Sequence, residues 1–252
     1  MAAFASVRVG PFTVADVTYD RAVSLAADLA VEPTGVRRFY ALHVGGLNAR
    51  DQSDFVAEMN DAELVCADGG SIVLLAKLAG ARVIERTPTT DAGWDVLRAT
   101  GEKLGRTPRV ALVGGPAEVV DKAAGTLREG VDCDIVMAEH GYHQEWGLVL
   151  EQLREIAPDV LILGLGAPKE MLWVREHYAS LPPCLVVTCG GWFGFLSGEE
   201  ARAPRVLRRS GLEWIARVFQ APTRLGPRYL RGLLSVVVVG FGTLVRRIPG
   251  RR

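Results

Sequence analysis

No run in this chain is apolar over the roughly 20 residues that a membrane-crossing helix requires. The longest, residues 232–245, is too short and is broken by Gly240 and Gly242. Cysteine is scarce: Cys66, Cys133, Cys184 and Cys189 lie in strand-like runs with neither C-x-x-C nor Cys/His spacing. That excludes a disulfide framework and suits small buried thiols in a reducing compartment. The opening residues, Met-Ala-Ala-Phe-Ala-Ser-Val-Arg-Val, lack a basic segment followed by a long apolar one. No secretion signal is read, and the cytoplasm is the expected compartment. Two nucleotide signatures are also missing. There is no Walker A sequence, and Gly164 and Gly166 are followed by Pro168 with no third glycine to complete G-x-G-x-x-G. A dinucleotide dehydrogenase is thus allowed by fold class alone. No repeat and no low-complexity linker precedes Arg202.

Net charge is absent only on average. Residues 1–201 hold 17 Lys and Arg against 28 Asp and Glu, whereas residues 202–252 hold 12 Arg against the single acid Glu213. An acidic body therefore carries a strongly basic tail. Such a tail seeks phosphate, on an anionic membrane surface, a diphosphate substrate or nucleic acid. The 252 residues, 49% of them hydrophobic, suit one large domain or two small lobes.

Strand-like and helical runs alternate along the body. A hairpin is expected from residues 7–9 and 12–14, then a helix over 19–29, a strand over 39–44 and a helix from about 50 to 60. Further strands are expected at 64–67, 110–113, 133–138, 160–163 and 185–189, with helices at 72–79, 91–104, 117–127 and 145–156 and one from about 169 to 178. This order predicts an α/β, Rossmann-like fold, a largely parallel sheet with helices on both faces. The domain division expected is a catalytic body over 1–201 and a basic, partly apolar helical appendage over 202–252.

The chain is organised around Glu-Leu-Val-Cys-Ala-Asp-Gly-Gly-Ser (63–71) and Glu-Arg-Thr-Pro-Thr-Thr-Asp (85–91). A buried strand ends in Asp68, and Gly69 and Gly70 turn the chain into an apolar helix. In open α/β sheets ligands sit beyond the carboxyl ends of strands, where a helix start offers N–H groups to an anion. Asp68 stands at such a place, with Arg86, Thr90 and Asp91 arriving from the next connection. The bland alternative is an Asp that only caps a glycine turn. The turns at Gly114-Gly115, Gly164-Leu165-Gly166 and Gly190-Gly191 offer amides at the same edge, the usual provision for a nucleotide or diphosphate.

These motifs together resemble the WecG/TagA/CpsF family of bacterial glycosyltransferases. The resemblance rests on Ala-Asp-Gly-Gly-Ser (67–71), Glu-Arg-Thr-Pro-Thr-Thr-Asp (85–91) and Val-Gly-Gly-Pro (113–116). It continues through His-Gly-Tyr (140–142), Gly-Leu-Gly-Ala-Pro-Lys (164–169), Gly-Gly-Trp-Phe-Gly-Phe-Leu-Ser-Gly (190–198) and the arginine-rich 202–225, nearly the whole chain in order. It implies transfer of a sugar, such as N-acetylmannosamine or another hexose, from a UDP-sugar to an undecaprenyl-diphosphate-linked sugar. It also implies inversion, no metal and no cofactor, a basic C-terminal appendage at the inner face of the cell membrane, and a product in cell-surface polysaccharide or teichoic acid. Carried over residue by residue, it makes Asp68 the base and places Arg86, Arg217 and Arg224 on phosphates. An inverting transfer needs a carboxylate for the acceptor proton and cations for the departing diphosphate. The substrate-binding set expected is Asn48, Gly69, Gly70, Thr90, Asp91, Gly114, Gly115, Tyr142, Gly166, Pro168, Glu170 and Arg217. Partners expected are the donor, the lipid-linked acceptor and an anionic membrane surface, without nucleic acid; a homo-oligomer stays open.

The chain departs from the family pattern at several points. Without gaps, the family's Thr-x-Asn falls on Tyr40 and Leu42, with His43 and Asn48 nearby as replacements for sugar contacts. The family's glutamine after Pro-Lys is Glu170, its following Glu is Met171, and an Asp is Gly194. These departures motivate an alternative, a non-catalytic nucleotide-sugar-binding relative at the membrane. Asp132-Cys133-Asp134 has the spacing of a metal-holding motif but precedes a strand, which reads as a solvated turn. His140 and His143 have ligand spacing, although nothing in sequence completes a metal site; a pocket role and a plain turn remain open. Trp192 and Phe193 either stack on a ligand or fill the core. The apolar 232–245 run, flanked by arginines, reads as an interfacial segment, with a buried core helix as the alternative.

Overall fold

The computed structural model describes residues 4–31, 34–200 and 222–247, the side chains of 222–229 and 246–247 excepted. Six strands form one sheet: β3 (Arg37–Leu42), β4 (Leu64–Ala67), β5 (Arg109–Gly114), β6 (Asp134–Glu139), β7 (Val160–Gly164) and β8 (Leu185–Thr188). Their order is β4-β3-β8-β7-β5-β6, and every pair is parallel. Inner strands of such a sheet are covered on both faces and so are apolar throughout. Accordingly β8 is buried at all four positions and β5 at all but Arg109.

One face carries α1 (Tyr19–Val31), α5 (Thr89–Leu104), α6 (Ala117–Gly130) and the short α9 (Trp192–Leu196). They pack on Phe39, Cys66, Leu112, Ile162 and Val187. α1 buries Ala22, Leu25, Ala26 and Leu29, the three- and four-residue spacing of one helical face. On the opposite face α7 (Gly147–Ile156) and α8 (Lys169–His177) cover β5, β7 and β8. β3 and β4 are covered there by the hairpin β1 (Ser6–Val9) and β2 (Phe12–Ala15), by α2 (Val44–Leu47), α3 (Ser53–Asp61) and α4 (Gly70–Ala79), and by α10 (Pro222–Arg247). The expected strand over 39–44 stops at Leu42, because the His43 side chain accepts from the Gly45 amide and starts α2 at once.

One expectation about an apolar run changes. The helix after Asp68, apolar on most faces in sequence, is not fully buried: Leu74 is 55% exposed. The C-terminal run belongs to α10, a single helix of 26 residues that is half seated rather than buried. Ser235 and Val239 face the body, whereas Leu230, Leu233, Leu234, Val237, Val238, Phe241 and Leu244 are 49–69% exposed. Gly232 allows the close seat, since a Cβ there would lie 2.0 Å from Val44 Cγ1. A polar pin completes it: Arg50 donates to Ser235 Oγ at 2.7 Å, and that hydroxyl donates to Asn48 Oδ1 at 3.0 Å. No helix among the described residues is long and apolar enough to cross a membrane.

The tightest helix contact on the first face is at Gly93 of α5, where a Cβ would stand 2.1 Å from the Trp192 ring. Trp192 is itself held edge-on to Trp94, with centroids 5.9 Å apart. Gly93→Ala is expected to cost about 1–3 kcal/mol by overpacking, read as a lowered urea midpoint at unchanged slope. An unchanged midpoint would show that α9 does not press on α5.

Candidate active site

Read in sheet order, the carboxyl edge presents Asp68, His43, the Gly190 turn, the Gly166 turn, Gly115 and His140. The chain leaves β3 toward α2 on one face and β8 toward α9 on the other, the divergence at which open α/β sheets form their ligand crevice. Asp68 is fixed there by its backbone. Its amide donates to the Leu42 carbonyl at 2.8 Å, extending the β3–β4 ladder by one step. That register sets His43 beside Asp68. On the other side Arg86 forms a parallel bridge with Ala67, and the Thr87 amide donates to the Ala67 carbonyl at 2.8 Å. Asp68 therefore lies in register between His43 and Thr87, one step past the Ala67–Arg86 bridge. Asp91, in the first turn of α5, holds the guanidinium of Arg86 at 3.4 Å. The same turn is tied to the end of β8, since Thr89 Oγ1 donates to the Thr188 carbonyl at 3.0 Å. Thr90 is half-buried at that helix start. Arg86 and Asp91 thus touch, with Thr90 in the same helix turn and Asp68 one residue past the Ala67–Arg86 bridge.

Gly69 precedes α4 with φ of 95°, which favours glycine, and a Cβ there would meet nothing within 4 Å. It leaves open space beside Asp68, and Gly70 begins the helix and is exposed. The other turns serve packing more than expected. A Cβ on Gly114 would lie 2.4 Å from the Gly164 carbonyl oxygen, and one on Gly164 would meet the Phe193 ring at 2.7 Å. Both glycines let β5, β7 and α9 close on one another. Phe193 and Trp192 are buried, so they fill the core. Gly115 is the first step of this turn beyond the strand, and its carbonyl accepts from the Gly141 amide at 2.9 Å.

Glu170 has a role that its place at a helix start does not reveal. It is only 2% exposed, and its Oε2 accepts from the amides of Gly166 at 3.0 Å and Gly190 at 3.2 Å. Those two amides thus already face an anion supplied by the chain, and Glu170 clamps the β7 and β8 turns together. Pro168 follows a cis peptide bond and leads directly into α8.

The remaining expected residues are scattered. Tyr142 is 73% exposed beyond β6, at the far end of the edge from Asp68. Asn48 is half-buried and accepts from Ser235 of α10. Arg217 lies outside the described residues, as does the side chain of Arg224, whose backbone is in the first turn of α10. Tyr40 and Leu42 have no exposure and belong to the core over the hairpin. The Tyr40 hydroxyl donates to Glu58 at 2.7 Å, and Glu58 pairs with Arg38 at 3.3 Å. Burial pushes the Glu58 carboxyl above its ordinary value. A surface hollow lined by Arg38, Glu58, Asp61, Arg175 and Tyr178 opens beside this network, at the amino rather than the carboxyl side of the sheet. Asp132 and Asp134 are exposed at the amino end of β6. One acid escaped the sequence reading: Glu139, gathered with His140 and His143.

The family model described as glycosyl transferase WecG/TagA/CpsF family matches residues 7–249, nearly the whole chain. The match spans the crevice, the clamp and α10 alike.

The clamp is testable without any ligand. Glu170→Gln keeps an oxygen that can accept from both turns, so its melting temperature is expected within a few degrees of the wild type. Glu170→Leu leaves two part-buried amides without this acceptor and should melt well below it. Equal loss in both variants would mean that charge rather than amide acceptance holds the turns.

Proposed function

This chain belongs to the WecG/TagA/CpsF family, glycosyl transferases of cell-surface polysaccharide synthesis, and we propose that it moves a hexose from a UDP-sugar to a polyprenyl-diphosphate-linked sugar with inversion. The observation that supports this reading is the position of Asp68 at the carboxyl end of β4, beside His43 and one residue past the Ala67–Arg86 bridge. Asp68 takes the proton from the acceptor hydroxyl as that oxygen attacks the anomeric carbon from the face opposite the diphosphate. The C–O bond to UDP breaks in the same displacement, and the departing phosphate carries the electron pair away. A positioned base is worth on the order of 10²–10⁴-fold.

Arg86, braced by Asp91, supplies positive charge where the diphosphate departs, beside the N-terminus of α5. In this reading the cation replaces a divalent metal at the leaving group, and Arg217 and Arg224 add to it from the appendage. Tyr40 and Leu42, whose departure motivates the non-catalytic alternative, are core side chains. Their identity therefore leaves the crevice groups intact, which favours the enzyme.

α10 supports attachment at the inner face of the membrane. Its exposed apolar stripe recurs every three or four residues from Leu230 to Leu244, with Arg228, Arg231, Arg246 and Arg247 at its two ends. A half-seated helix of this kind lies in the interface, apolar side among acyl chains and arginines at phosphates. The lipid-linked acceptor is reached in the same plane.

Purified protein is expected to release UDP from a UDP-hexose only when a polyprenyl-diphosphate sugar is present, and EDTA should leave that rate unchanged. Asp68→Asn should retain UDP binding and lose transfer by on the order of 10²–10⁴-fold. Activity within a few-fold of wild type in Asp68→Asn would remove the base assignment. Restoration by Mg²⁺ or Mn²⁺ after chelation would remove the metal-free mechanism.

Attachment has its own measure. Vesicles containing anionic lipid are expected to sediment the full-length protein, with roughly 1 kcal/mol per arginine at the surface lost as salt rises. Phe241→Glu together with Leu234→Glu should keep the protein in the supernatant. Sedimentation that ignores both lipid charge and these substitutions would contradict the interfacial seat.

A further inference from the structure

Glu139, His140 and His143 converge at the carboxyl end of β6, on the sheet edge opposite Asp68. Their ligand atoms lie within 4.8 Å of one another, and no other such group of three occurs among the described residues. Glu139 Oε1 is 3.2 Å from His143 Nε2 and 3.6 Å from His140 Nε2. A tetrahedral ion bound at roughly 2.0–2.1 Å places its donors about 3.4 Å apart, the spacing this cluster already has. The two imidazoles stack face to face, centroids 4.1 Å apart and planes within 9°, with both Nε2 atoms near the same carboxylate oxygen, so one ring must turn out of the stack for both lone pairs to point at one ion.

A second observation points to a ligand. His143 Nε2 is buried and makes no hydrogen bond, with Glu139 Oε1 3.2 Å away. A buried nitrogen left unpaired is costly, and a metal ion coordinated by its lone pair removes that cost. Trp146 lies edge-on to His143 at 4.9 Å and to Trp173 at 5.1 Å. Gly141, between the histidines, bonds to the Gly115 carbonyl and has no room for a Cβ, which would stand 2.5 Å from Leu165.

We propose that Glu139, His140 and His143 bind a divalent first-row transition-metal ion of the zinc class, with the outward position left to solvent. Two imidazoles select such an ion over Mg²⁺ or Ca²⁺, which take oxygen donors. The site is coupled to the turn it sits in. The Tyr142 amide donates to His140 Nδ1 at 3.1 Å, an arrangement that keeps the ring proton on Nε2. Coordination through Nε2 moves that proton to Nδ1 without changing the ring's charge, so the Tyr142 amide must turn away. Metal loading therefore repositions Tyr142 beside the Gly114–Gly115 turn, at the far end of the crevice. Five strand spacings of about 4.8 Å separate this site from Asp68, so the ion does not stand in for Arg86. Chelator-resistant transfer and metal binding here are independent results.

The test is titration of the metal-stripped full-length protein with Co²⁺. One equivalent is expected to give the visible absorption of tetrahedral cobalt and to quench tryptophan fluorescence, since Trp146 touches His143. Zn²⁺ should displace it and Mg²⁺ should not. His143→Ala and Glu139→Gln should each weaken binding on the order of 10²-fold or more, with far-UV dichroism and UDP binding unchanged. His177→Ala, in the same aromatic cluster but outside the ligand set, should bind as the wild type does. Absence of saturable binding at one equivalent, or binding indifferent to both ligand substitutions, overturns the assignment.

Discussion

Ala67 is paired on both sides, with Leu42 of β3 and with Arg86 of the segment that leads into α5. This double pairing at the last residue of β4 is the constraint on which the rest of the crevice depends. It fixes the next residue, Asp68, whose N–H donates to the Leu42 carbonyl, with His43 on one flank and Thr87, next to Arg86, on the other. Only backbone bonds are involved, so the placement does not rely on the rotamers of long side chains. Under the proposed mechanism, a carboxylate whose backbone is fixed in this way needs little reorganisation to take a proton next to departing negative charge. The fold supplies the remainder, since α5 starts at the same place and Thr89 ties it to the end of β8.

Much of this was legible in the sequence because its signals are local. Apolar runs ending in glycine marked the parallel strands and their carboxyl edge, and Asp68, Arg86 and Asp91 stood close enough in sequence to be read as one constellation. What was not legible depended on contacts between distant segments. Glu170 looked like a first-turn carboxylate, whereas the Gly166 and Gly190 amides converge on it from two different strands. Glycines at 114 and 164 suggested phosphate cradles, but each is small because another backbone or ring lies against it. His140 and His143 lacked a partner on paper because their third member, Glu139, is adjacent and reads as the last residue of a strand.

The tail illustrates how a composition argument falls between two alternatives. Residues 232–245 suggested either an interfacial segment or a buried helix. α10 has features of both, with Ser235 and Val239 seated on the body and a row of leucine, valine and phenylalanine turned outward. The seat matters for the site because Asn48 and Arg50, which hold Ser235, follow directly from the loop that carries His43. A ligand or surface held by the outer face of α10 would therefore bear on the same short segment that flanks Asp68, even though the helix does not enter the crevice through any described side chain.

The central claim is that the donor's diphosphate binds at the carboxyl edge against Arg86, with the sugar turned toward Asp68. A crystal structure of the UDP complex tests it most directly. The account requires phosphate oxygens within about 2.7–3.2 Å of the Arg86 guanidinium, and an open approach from the β-phosphate to the Asp68 carboxylate. UDP bound at the amino side of the sheet, in the hollow beside Arg38 and Arg175, would contradict it.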